Sequence, residues 1–271
     1  MGACMSADLK GKRLLITGAS RGLGVHIAER LAREGAAVVL AARDRDKLER
    51  VAERCRQLGA RVDSIVADVA RADDRARLLS EAGTLDVRVN NAGVEFTQRL
   101  VDQSEEQVRA QIEINLVAPI ELTRVALAAM VARGSGVVVN VSSMSGKAAT
   151  PFNSVYAATK HGLVGLSSSL DIELHGTGVH VGVVCPGFVS EAGMWADTGL
   201  HAPAAMREVS PAAVAQAVVD VISGKGEVLV TPRPMRPLLA LRQLVPSLEG
   251  PMLRAMGVAK ALAARAEPRR G

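Results

Sequence analysis

Tyr156 and Lys160 stand four residues apart in the stretch 143–160, SMSGKAATPFNSVYAATK, which Ser143 opens. Residues at i and i+4 share one helix face, so a phenol and an ammonium there can be aimed into one site. A phenol alone is a poor acid or base at neutral pH, with a pKa of about 10. A neighbouring cation favours the phenolate and lowers that value, which gives the pair a chemical reason to exist. Taken by itself the pair leaves a second reading open, a core aromatic beside a solvated charge.

Other stretches point to a phosphate-bearing ligand. Residues 13–17 form a short apolar run of buried-strand type, followed by Gly18-Ala19-Ser20-Arg21-Gly22-Leu23-Gly24 and an amphipathic helix to about residue 34. A glycine turn between strand and helix lets the backbone approach a phosphate, and the helix start supplies free N–H groups and a positive dipole end. A second strand, 37–41, runs into Ala42-Arg43-Asp44. A fold that takes NAD places a carboxylate near this strand end for the ribose 2′-hydroxyl, whereas an arginine suits a 2′-phosphate. With Ala42 where the acid is expected and Arg21 and Arg43 nearby, the pattern favours NADP over NAD. The alternative makes Arg43 a solvated loop charge and Asp44 the ribose ligand.

Strands are expected at 61–67, 86–90, 137–141, 179–184 and 228–231, and helices at 46–58, 73–82, 104–133, 154–175 and 211–222. That alternation implies a parallel sheet with right-handed crossovers. Pro119 interrupts the long helix and cannot donate to the carbonyl of Asn115, which makes that carbonyl a natural water site. Ser154 is the expected cap of the helix carrying Tyr156. Arg88 is out of keeping with a buried strand and calls for a salt bridge or local exposure. Residues 188–209 read as a lid, where Phe188, Met194 and Trp195 supply apolar surface. From residue 232 the chain changes character. Leu238, Leu241, Leu244 and Val245 form a helical stripe, a second helix is expected over 252–266, and Arg233, Arg236, Arg242, Arg254, Lys260 and Arg265 recur. This tail reads as a subunit contact or a cap over the substrate cleft, with a membrane-surface segment as the alternative.

Composition narrows the classes. The 271 residues are 48% hydrophobic and only 2% aromatic, so the core is aliphatic and a stacking nucleic-acid binder is disfavoured. The net charge of +5 is spread along the chain, which means mild attraction for anionic ligands. Cys4, Cys55 and Cys185 form neither a disulfide framework nor a zinc motif, and they suit a reducing compartment. No apolar run of signal-peptide or membrane-spanning length is expected. Gly2 begins a faint lipidation-like context.

Together these residues resemble the short-chain dehydrogenase/reductase family over residues 9–231. The resemblance rests on Thr17-Gly18 with Gly22 and Gly24, Asp68, Asn90-Asn91-Ala92-Gly93, Asn115, Ser143, Tyr156 with Lys160, and Pro186-Gly187, all in the family's order. It implies an α/β fold, a doubly wound parallel sheet of about seven strands, with 232–271 as a helical extension. It also implies a nicotinamide cofactor and a homodimer or homotetramer, though the extension puts the usual tetramer in doubt. Tyr156 would then be the acid/base that protonates a carbonyl oxygen, and Ser143 would orient that oxygen. Lys160 would hold the nicotinamide ribose and lower the Tyr156 pKa, and Asn115 would hold a water linking Lys160 to solvent. Gly18, Ser20, Arg21, Gly22, Leu23 and Gly24 would wrap the pyrophosphate, with Arg43 beyond them. Asp68 and Val69 would meet the adenine, and Asn91, Ala92 and Gly93 the cofactor's middle. Pro186, Gly187, Val189 and Ser190 would hold the nicotinamide end, with Ser190 where many members have threonine. The expectation is a cytoplasmic NADP(H)-dependent oxidoreductase acting on a hydrophobic ketone or secondary alcohol, with no metal and no nucleic-acid partner. Its alternatives are a non-catalytic NADPH-binding regulator and a reductase held at a membrane by its tail.

Overall fold

The computed structural model describes residues 8–266; Gly2 and Cys4 lie outside the described residues. In chain order the elements are β1 (Arg13–Thr17), α1 (Leu23–Arg33), β2 (Ala37–Ala42), α2 (Arg45–Gln57), β3 (Val62–Val66), α3 (Ala72–Ala82) and β4 (Val87–Asn90). Next come α4 (Glu105–Ile112), a π-helical turn (Glu113–Val117), α5 (Ala118–Arg133), β5 (Gly136–Val141), α6 (Ser154–Glu173), β6 (Val179–Pro186), α7 (Pro211–Ile222) and β7 (Glu227–Val230). The chain closes with α8 (Arg236–Leu244), α9 (Glu249–Ala255) and α10 (Val258–Ala266).

The seven strands form one parallel sheet in the order β3-β2-β1-β4-β5-β6-β7. Side chains alternate across it with the two-residue period of a strand. Leu14, Ile16, Val38, Leu40, Val87 and Val89 face α1, α2 and α7. Leu15, Val39, Ala41 and Val138 face α3, α5 and the end of α6. Covering both faces of a parallel sheet is what the near-continuous apolar strands require. The order in which strands are added reverses between β1 and β4, and the crevice beyond their carboxyl ends is where such sheets take ligands.

Several expectations change. The 104–133 helix is not simply kinked by Pro119: its middle widens into the π turn, where Ala118 N–H reaches back to Glu113 O. Such single turns frequently occur at functional sites. Within the helical run Glu105–Arg133 an 18-residue window reaches mean hydropathy 1.6, so by length and composition alone the run is able to cross a membrane, contrary to the sequence expectation. Glu121 and Arg124 disguise it in the sequence, and here Ala118, Leu122 and Met130 on it are buried. Ser154 does not cap α6. Asn153 holds the cap position without a side-chain cap bond: its Nδ2 donates to Glu95 Oε1 at 2.7 Å and its Oδ1 is buried without a partner. The helix expected over 252–266 is two, broken at Gly257, whose φ of +76° suits only glycine.

Arg88 is neither exposed nor paired with a carboxylate. It is fully buried on the Leu15 and Val138 face, and its Nε donates to Asn90 Oδ1 at 2.8 Å. Both terminal nitrogens lack a partner, and burial pulls the guanidinium down to about 9. Asn90 continues the polar chain to Thr123 and Asn140, and Asn140 donates to Ser167 on α6.

Candidate active site

The crevice opens where β1 and β4 part. Thr17 Oγ1 accepts from the N–H groups of Asn91 and Ala92 at 3.1 and 3.2 Å, and Asn91 Nδ2 donates back to the carbonyls of Thr17 and Gly18. These bonds hold the glycine turn against the β4 end so closely that a Cβ on Gly18 would lie 2.7 Å from Ala92 Cα. Gly22 begins α1 with φ +57° and no side-chain cap, and there is no acidic residue in the first turn. The helix start therefore presents free N–H donors and an uncompensated dipole end to an anion. The residues fit a dinucleotide.

One cavity of about 590 Å³ runs from this turn to the C-terminal helices. Gly18, Ser20, Arg21, Gly22 and Leu23 line one end with Arg43, Asp68 and Val69. Asn91, Ala92, Gly93, Ser143, Tyr156 and Lys160 line its middle, with Pro186, Gly187 and Val189. Three of the expected site residues sit behind the wall. Gly24 packs where a Cβ would meet Gly18 O at 2.1 Å. Asn115 is fully buried, clamping Val94 N–H and C=O at 2.8 Å each and donating to Thr159. The Ser190 hydroxyl donates inward to Val209 O at 3.3 Å, so in this arrangement it does not face the nicotinamide end. The Asn115 side chain is fully engaged, which leaves its main chain as the group able to hold a water.

At the adenine end Arg43 is exposed and 3.9 Å from the Asp68 carboxylate, while Arg21 lies 3.5 Å from Asp197. Asp44, the rival ribose ligand, accepts from Lys47 N–H at 3.0 Å as the cap of α2 and pairs with Lys47 Nζ at 2.9 Å. Lys47, which no sequence motif singles out, adds a third cation to this rim.

The chemical centre departs from expectation in its electrostatics. Tyr156 is buried, and burial first, then the Glu95 charge, pushes its phenol upward, against a smaller lowering from its hydrogen bond with Ser143 and from Arg265. Lys160 does not drive it down. Its Nζ donates to Val141 O at 2.9 Å and sits 5.5 Å from the Tyr156 ring centre, and burial pulls it to about 8. Desolvation therefore outweighs the cation–phenol attraction on which the four-residue spacing suggested relying.

The far end is apolar. Trp195, Val258 and Leu262 are buried together, packed by Phe188, Met206, Leu253 and Met256, so the 188–209 segment and α10 form one wall. Phe188 and Trp195 pack tilted at 59° to each other with centroids 4.5 Å apart. Glu95, Asn153 and Arg265 also line this end. Sequence reasoning missed Glu95 and Asn153 and read Arg265 only as one of a basic series, since 170 positions separate it from Glu95 and no local pattern links them.

A parallel sheet whose strand order reverses at a glycine-turn crevice, with a phenol–hydroxyl–ammonium group in the same cavity, defines a nicotinamide-dependent oxidoreductase. The sequence matches the family model described as short chain dehydrogenase over residues 12–202. The chain belongs to the short-chain dehydrogenase/reductase family, whose members act on CH–OH groups with NAD(P). It is 40% identical to the ketoacyl reductase HetN of Nostoc sp., over 96% of this chain and 94% of that protein. Among solved structures it resembles a variant of the actinorhodin polyketide ketoreductase with NADPH, at 31% identity and TM-score 0.73, covering 81% of this chain and 95% of that one. It also resembles a metagenomic short-chain oxidoreductase in complex with NADP, at 33% identity and TM-score 0.70, covering 84% and 100% respectively.

Proposed function

We propose that the protein is an NADPH-dependent reductase of a hydrophobic ketone, of the ketoacyl type. The observation that carries this is one continuous cavity joining three parts: a cationic phosphate turn, the Tyr156–Ser143 pair, and an apolar wall from the 188–209 segment and the tail. The names of HetN and the actinorhodin enzyme support the ketoacyl class, and the Arg21, Arg43 and Lys47 rim supports NADPH over NADH.

When bound, the nicotinamide supplies the hydride. Tyr156 and Ser143 place hydroxyl donors where a substrate carbonyl oxygen would lie, and Tyr156 gives its proton to that oxygen. Burial keeps the phenol protonated at neutral pH, the form that reduction consumes. Lys160, near 8, stays largely cationic at pH 7 and yet close enough to neutrality to return a proton toward Tyr156. The apolar wall excludes water and holds the substrate's tail.

In this reading residues 9–231 are the catalytic unit and the extension that begins at 232 is its cap, as far as the described residues to 266. Arg242 pairs with Glu249 at 2.6 Å and Arg265 with Glu95 at 2.8 Å, so two of the tail's cations face inward, which favours a cap over a membrane contact. Cytoplasmic residence and a homodimer or homotetramer belong to the same proposal. They are supported by the buried free thiols Cys55 and Cys185 and by exposed Val125 and Ile172, and light scattering of the purified protein tests the assembly. A panel of ketones and ketoacyl esters followed by NADPH absorbance tests the function. Turnover of apolar ketones is expected; NADPH binding with no turnover across the panel would favour a regulator instead.

A further inference from the structure

Arg265 lies outside the part of the chain that matches the family model, yet it reaches the chemical centre. From α10 its Nη1 donates to Glu95 Oε1 at 2.8 Å and its Nη2 to Met194 O at 3.0 Å. Its guanidinium lies 5.9 Å from the Trp195 ring centre. Glu95 Oε1 also accepts from Asn153 Nδ2, at the start of the helix that carries Tyr156. One guanidinium thus ties the loop after β4, the lid, the start of α6 and the C-terminal cap. The pair is nearly dry, with side-chain exposures of 12% and 8%.

We infer that Arg265 is a positioning residue for the reaction: it holds lid and cap shut over the cleft and neutralises the Glu95 carboxylate beside Tyr156. A buried carboxylate near the phenol needs a compensating cation, or it opposes formation of the phenolate. The groups facing Tyr156 are Glu95 from the loop after β4, Arg265 from α10, Ser143 from the loop after β5 and Lys160 on its own helix. Of these, Glu95 raises the phenol, while Ser143 and Arg265 lower it. The bidentate fork matters because one nitrogen serves the charge and the other the lid carbonyl, which a lysine cannot do in the same geometry.

The inference rests on Tyr156 as the acid/base, and its test separates the two. Trp195 is the only tryptophan, so its emission reports on the lid without substrate. In the full chain, Arg265→Met is expected to shift that emission to the red and steepen acrylamide quenching. In the alcohol-oxidation direction, where Tyr156 must accept a proton, the same variant is expected to raise the apparent pKa of kcat/KM by about one pH unit. Adding Glu95→Gln to Arg265→Met is expected to return the pKa but not the emission. Arg265→Lys keeps the charge and loses the second bond, so its pH profile stays near the parent's while its emission moves. Unchanged emission and an unchanged profile in Arg265→Met overturn the inference, as does an Arg265→Lys enzyme whose emission stays put. A Tyr156→Phe enzyme that keeps its turnover overturns the acid/base reading and with it the charge half of this proposal, and the Trp195 emission then decides the lid half.

Discussion

Arg43→Ala isolates the cofactor preference. Arg43 sits at the end of β2 with its side chain 64% exposed and 3.9 Å from Asp68. A charge-assisted hydrogen bond to a 2′-phosphate contributes about 1.5–3 kcal/mol, and solvent exposure places this one at the lower end. A loss of about 1.5 kcal/mol is roughly tenfold in dissociation constant. Freeing Asp68 from its ion pair changes the adenine pocket for both dinucleotides alike, so the ratio of the two constants removes that effect. The assay is titration calorimetry of NADPH and NADH against parent and variant at two salt concentrations. The expected result is an NADPH-to-NADH preference reduced about tenfold at low salt and less at high salt, because an exposed pair is screened. Equal weakening of both dinucleotides would refute the 2′-phosphate role, and would point to Arg43 acting only through Asp68.

Three further outcomes follow from the geometry. Arg88→Met removes two buried guanidinium nitrogens without partners, each costing about 1–3 kcal/mol, and loses one bond to Asn90; a net gain of about 1–3 kcal/mol should raise Tm by several degrees in a melting scan, and a fall would contradict it. Lys160 is depressed to about 8 in the fold from 10.5 in the unfolded chain, so the unfolded state binds more protons between those values and stability rises with pH there. Below about 8 the burial penalty is fully present, so Lys160→Met should melt higher than the parent at pH 7, with the gap narrowing toward pH 10 as turnover stays abolished. In Gly93→Ala the new Cβ lies 3.3 Å from Asn115 Oδ1 and 3.8 Å from Lys160 Nζ. A displacement of a few tenths of an ångström there should lower kcat about tenfold with KM for NADPH little changed, as steady-state kinetics would show.

Much of this architecture could be read before any coordinates. The apolar strands ending at Gly18, at Asn90-Asn91 and at Pro186-Gly187 announced both the sheet and residues on its rim, because strand, turn and helix are local in sequence. The four-residue spacing of Tyr156 and Lys160 likewise placed both in one cavity. Local patterns could not show how deeply a group is buried. Hence burial, not the neighbouring cation, sets the direction in which the Tyr156 phenol is pushed. The same limit applies to Arg88, for which a salt bridge or exposure was expected and which the fold instead buries with a single bond to Asn90. The Glu95–Arg265 pair was out of reach for a different reason: it joins two segments of the fold that share no motif.

The central claim is that Tyr156 is the proton donor in a cavity that binds NADPH without its help. Tyr156→Phe removes one oxygen from a buried ring and leaves the glycine turn, Arg43 and Lys160 in place. The account predicts NADPH affinity close to the parent's and turnover of the best ketone lower by about 10²–10⁴-fold. Turnover within a few fold of the parent, with NADPH still bound, would contradict it.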